Sequence, residues 1–80
     1  MKLPRDLAGD ELAFLLCNRL AYRLVHQEGS HIVIETTQPS PHRLSIPAHR
    51  ALRIGTLSSI LRSVARHKGM NREELLKIIG

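Results

Sequence analysis

Apolar residues recur along this chain with two periods, helical at both ends and alternating in the middle. From Gly9 or Asp10 to Leu20, the residues Leu12, Leu15, Leu16 and Leu20 return at helical spacing while Glu11 and Asn18 fall on the far side, which predicts a first amphipathic helix. Arg19 intrudes on the stripe, but near a helix end its stem can lie on apolar surface while the guanidinium reaches water. Asp6, Gly9 and Asp10 all qualify as its N-cap, and acidic residues suit the positive end of the helix dipole whichever is used.

The period then drops to two. Tyr22 to Gln27, a Glu28-Gly29 turn, and Ser30 to Thr37 read as a hairpin rich in β-branched residues. In its second strand Ile32, Ile34 and Thr36 share one face, and His31, Val33 and Glu35 share the other. The isoleucines are expected to point at the helices and His31 at the open side. The first strand is left unoriented, because Leu24 and Val25 are adjacent and both apolar. Gln38-Pro39-Ser40-Pro41 predicts a surface loop. A third strand runs from His42 to Ile46 and ends at Pro47, and if it pairs beside the second, Arg43 and Ser45 join His31 on the open face.

After a connection from Ala48 to Ile54, a second helix is predicted from Gly55-Thr56 to Gly69, with Leu57, Ile60, Leu61, Val64 and Ala65 as its buried stripe. Ser58, Arg62 and Arg66 form a separate cationic stripe, and Gly69 supplies a left-handed stop. Asn71-x-x-Glu74 resembles a capping box for a short last helix, with Met70 placed to staple onto Leu75. The expected architecture is α+β: α-β-β-β-α with a short C-terminal helix, an antiparallel three-stranded sheet and helices on one face, in one domain spanning 1–80. That order is shared with double-stranded-RNA-binding domains, a likeness of class that by itself says little about function.

Composition narrows the function. Twelve Lys and Arg against seven Asp and Glu give a formal charge of +5, which points to nucleic acid. Nine of the twelve are Arg, whose planar fork grips phosphate in bidentate fashion. Phe14 and Tyr22 are the only aromatics, so the core must be aliphatic. Cys17 is the single cysteine, which excludes an internal disulfide and suits a reducing compartment. Met1 to Asp10 carries Lys2, Arg5, Asp6 and Asp10, unlike a secretory leader, and no run approaches the roughly 20 apolar residues of a membrane span. A cytoplasmic, membrane-free location is expected.

Gly29-Ser30-His31 is the stretch with chemistry. A histidine with an unperturbed pKa of about 6.5 can give or take a proton near neutrality, as RNA cleavage requires at the 2′-hydroxyl or the leaving 5′-oxygen. A glycine turn can bring backbone N–H groups near a phosphate, and a serine can hydrogen-bond to one. From spacing alone a solvated strand histidine with no chemical role fits better. His42 and His49 flank the third strand and read as surface-loop histidines or as a second acid or base; His67 reads as a partner for the C-terminal dipole of the second helix. Arg50, Arg53, Arg62 and Arg66 could track a phosphate backbone, the last two equally forming a solvated helix face. No ligand spacing for a metal, no nucleophile elbow and no glycine-rich phosphate loop is present, so no cofactor is implied.

Several stretches together resemble the HicA family of bacterial toxins, mRNA interferases that pair with HicB antitoxins. They are Tyr22-Arg23-Leu24-Val25 leading to Gly29-Ser30-His31, then Ile46-Pro47-Ala48-His49, then Gly55-Thr56-Leu57 with Ile60-Leu61-Arg62, and Asn71 to Leu76. Lys2-Leu3-Pro4-Arg5 is also similar to the family's usual start. Two positions depart from it: Ala21 stands where the family often has glycine, and His26 where it often has arginine. The resemblance implies a double-stranded-RNA-binding-like fold, an endoribonuclease acting on mRNA within a type II toxin–antitoxin system, a HicB-like antitoxin partner, and an essential histidine at His31. On this basis His31 is the expected catalytic residue, with Gly29, Ser30, Arg43, Arg50 and Arg53 expected to hold substrate. The alternative is a non-catalytic DNA-binding module, since Ile60 to Gly69 followed by Asn71 to Ile79 can be drawn as a helix-turn-helix. Glu73 and Glu74 would then face phosphates, which Coulomb repulsion disfavours.

Overall fold

Alternation along the middle strand decides which way the sheet faces. The computed structural model describes residues 7–79; the candidate cap Asp6 and the Lys2-Leu3-Pro4-Arg5 stretch lie outside the described residues. Six elements follow in order: α1 (Gly9–Arg19), β1 (Arg23–Glu28), β2 (His31–Thr36), β3 (His42–Pro47), α2 (Ile54–Lys68) and α3 (Arg72–Ile79). The strands make one antiparallel sheet in the order β1-β2-β3. Ile32 and Ile34 in β2, with Leu44 and Ile46 in β3, are buried, while His31, Arg43 and Ser45 between them are exposed. One face therefore carries the helices and the other is open, as the period-two pattern predicts.

Helix α1 packs across all three strands, α2 lies against β3, and α3 closes the layer against α1 and α2. Their aliphatic stripes meet in one core, where Leu12, Leu16, Ile34, Leu61, Val64 and Leu75 are almost fully buried. The stripe read from α2 is buried throughout, and Gly69 stops that helix at φ +67. The capping box of α3 is closed in both directions: Asn71 N–H donates to Glu74 Oε1 (3.1 Å) and Glu74 N–H to Asn71 Oδ1 (2.8 Å). No helix of the described residues is long and apolar enough to cross a membrane.

Two local expectations need correction, and a third feature is one that the pattern leaves open. The N-cap of α1 is Ala8, not Gly9 or Asp10; its N–H donates to Glu11 Oε1 (3.2 Å), so the first-turn acid supplies what the capping side chain lacks. Gly9 sits inside the helix because α1 presses on the end of β3, where a Cβ would run into the Pro47 carbonyl. The hairpin turn is Gly29-Ser30 rather than Glu28-Gly29, since Glu28 still pairs with His31. Gly29 takes φ +58 at the first loop position, as a type II′ hairpin requires. In β1 the register shifts between Leu24 and His26, leaving Val25 as the extra residue; this bulge is why two adjacent apolar residues resisted a period-two reading.

Candidate functional site

His31 opens β2, the central strand, with Glu28 of β1 on one side and Pro47 of β3 on the other. Its side chain is exposed on the open face. Gly29 and Ser30 form the hairpin tip beside it, also exposed. Among the described residues no hydrogen bond or ion pair holds the imidazole.

The tip is tied to the chain that follows β3. Ala48 N–H donates to the Ser30 carbonyl (2.6 Å), and the Gly9 N–H donates to the His49 carbonyl (2.9 Å). The hairpin tip, the start of α1 and the β3–α2 connection thus converge at one end of the sheet. An open hollow of about 600 Å³ there is lined by Asp10, Glu11, Gln27, Ala48, His49 and Arg50. His49 and Arg50 are therefore at the His31 end, and Arg53 follows them at the N-cap position of α2.

Arg43 is on the same face as His31 but not beside it. It pairs with Glu35, four residues along β2 and so about 13 Å from His31 at the usual rise. There Glu35 takes a guanidinium from each side: Arg43 Nη2 at 3.1 Å and Arg23 Nη2 at 3.3 Å. These two donors, Arg43 foremost, hold its carboxyl below the usual carboxylate range. One carboxylate between two exposed guanidiniums leaves a net cation on the open face, with donors to spare for a phosphate. Nearer the tip, His26 lies opposite Val33 and Glu28 opposite His31, and His26 Nε2 stands 3.8 Å from Glu28 Oε2.

The residues whose roles were not anticipated are on the helix side. His42 is not a loop histidine: it begins β3 on the same face as Leu44 and Ile46 and is half-buried. Tyr22, buried at the entry to β1, places its hydroxyl 2.8 Å from His42 Nδ1, and His42 Nε2 lies 3.2 Å from Ser63 Oγ. A buried phenol must donate, and His42 Nδ1 is the acceptor in reach, so Nε2–H donates to Ser63. Burial first, then the nearby charges of His67 and Lys68, lowers the His42 pKa below its ordinary value. His67 stacks on His42 with ring centroids 4.3 Å apart and meets the Ser40 carbonyl through Nε2 at 2.9 Å. Lys68 donates to the Gln38 carbonyl (2.6 Å) and lies over the Tyr22 ring (5.1 Å). The end of α2 thereby grips the β2–β3 loop, a task beyond that of dipole partner. Strand parity was the available signal for His42, and spacing of four from Ser63 was the signal for His67.

Cys17 is half-buried against the core, which pushes its thiol pKa up and makes it a packing residue. Among the described residues no group of three or more His, Cys, Asp or Glu side chains is arranged to hold a metal ion. No family model, curated protein or solved structure matches this chain.

Proposed function

We propose that this chain is an mRNA-cleaving toxin of a type II toxin–antitoxin pair, built on a double-stranded-RNA-binding-like fold and acting in the cytoplasm, where its substrate is. The observation that carries it is His31, exposed at the head of the central strand beside the Gly29-Ser30 turn, on the uncovered face of a basic α+β domain. An imidazole so placed can take the proton of a 2′-hydroxyl or return one to the leaving 5′-oxygen. Gly29 and Ser30 offer backbone N–H and hydroxyl donors to the scissile phosphate. Arg50 lies at the same end, Arg43 further along the open face and Arg53 at the start of α2, so the three would hold successive parts of a substrate rather than one phosphate. A HicB-like antitoxin would silence the enzyme by covering the His31 end.

The His31 side chain is exposed and makes no hydrogen bond or ion pair among the described residues, so His31→Ala should keep its stability within about 0.5 kcal/mol while losing about 10²- to 10⁴-fold in RNA cleavage. Inducible expression of the two chains side by side, scored for growth arrest and transcript loss, tests this. An equally folded His31→Ala that still degrades RNA removes the proposal. The helix-turn-helix alternative is the weaker one: α3 buries Leu75, Leu76 and Ile79 and leaves Glu73 and Glu74 exposed where bases would be read. Salt-dependent DNA retardation without RNA loss would favour it.

A further inference from the structure

Two columns of side chains run down one flank of α2, each residue a helical turn from the next: Ser59, Ser63 and His67 in one, Arg62 and Arg66 in the other. With His42 they line an open depression of about 500 Å³ at the end of the sheet opposite His31, on the other side of the sheet. Its volume is that of a small-ligand site, roughly 300–1,000 Å³. Its wall holds two guanidiniums, two hydroxyls and two imidazoles, and no carboxylate. Helix α2 contains no acidic residue at all, and among the described residues neither Arg62 nor Arg66 forms an ion pair.

We propose that this depression binds a phosphate group, clasped by Arg62 and Arg66 over the hydroxyls of Ser59 and Ser63. Cations late in α2 also suit its dipole, whose negative end works against a bound anion. That dipole accounts for the arginines but not for hydroxyls and a fixed imidazole converging on the same hollow. Ser63 is held by His42, which Tyr22 holds in turn, so this wall is set before a ligand arrives. Two guanidinium forks then supply charge-assisted, bidentate contacts of the kind phosphate oxygens accept best. The phosphate is carried either by a nucleic-acid backbone or by a free nucleotide; the chemistry of the hollow is the same for both.

The test follows backbone amide shifts of Ser59 to His67 as inorganic phosphate is added to the full chain, to R62Q/R66Q and to His31→Ala. Saturable shifts of equal strength are expected in the wild type and His31→Ala, with binding weaker by about tenfold or more in R62Q/R66Q, whose exposed side chains the fold does not need. Equal binding by R62Q/R66Q, or no shifts at these amides in the wild type, overturns the site. Competition identifies the carrier, using the His31→Ala chain so that RNA survives. Displacement of phosphate by a short single-stranded RNA but not by adenosine 5′-monophosphate assigns a backbone phosphate. Displacement by the mononucleotide but not by the RNA assigns a free nucleotide. Either supports the site, and displacement by neither overturns it. The site stands apart from the nuclease assignment: lost phosphate binding with intact RNA cleavage removes only the site, and the converse removes only the role of His31.

Discussion

Ala21 lies in the left-handed region at φ +61, between the end of α1 and the start of β1. Such a backbone costs an L-residue about 1–2 kcal/mol, partly offset by the extra freedom glycine has when unfolded. Ala21→Gly should therefore raise the unfolding free energy by up to about 1 kcal/mol, read as a higher urea midpoint at unchanged slope. A lower midpoint would show that the strain is not there. The same residue illustrates what single positions disclose. Nothing in the spacing around position 21 gives a φ. His31 was legible because strand parity alone decides its face. His42 obeys the same parity with Leu44 and Ile46, but its neighbours Tyr22 and Ser63 are twenty or more residues away and no local pattern joins them.

At the scale of elements, strong periodicity translated directly into structure: the α2 stripe, the closed α3 capping box and the alternation of β2 all appear where the pattern puts them. Boundaries and irregularities did not, because they answer to neighbours rather than to period. The bulge in β1 depends on its pairing with β2. The position of Gly9 depends on how closely α1 approaches Pro47, a contact across nearly forty residues. Gly9→Ala forces a methyl into that backbone carbonyl, so α1 must shift, and a loss of about 1–3 kcal/mol is expected, the usual range for overpacking. Urea unfolding checks this; an unchanged midpoint would mean that the helix and the strand end can part freely. Since the Gly9 N–H also anchors the His49 carbonyl, the same variant should loosen the connection carrying His49 and Arg50.

Across the whole molecule, His42 joins the entry to β1, the outer end of β3 and the middle of α2, with Tyr22, Ser63, His67 and Lys68 against it and Arg62 and Arg66 at the rim. Its folded pKa is lowered, so between that lowered value and the ordinary 6.5 the unfolded chain binds the proton and the folded chain does not. This contribution to stability is flat above about pH 6.5 and is lost as pH falls through the window below it. Protonation also turns Nδ1 from acceptor to donor, so the Tyr22 oxygen must accept and its O–H loses its acceptor. His42→Gln removes this titration, so its unfolding free energy should fall less steeply than the wild type's across that window in denaturant titrations. Parallel curves would place the acid sensitivity elsewhere.

Tyr22 is the only tyrosine in a chain without tryptophan. Its ring meets His42 edge-on at 6.1 Å, lies under the Lys68 ammonium, and is buried deeply enough to push its phenol pKa up to about 12. All intrinsic tyrosine emission of this protein therefore originates at one hydrogen bond, and the molecule carries its own optical reporter at the junction of sheet, loop and helix without any label being attached.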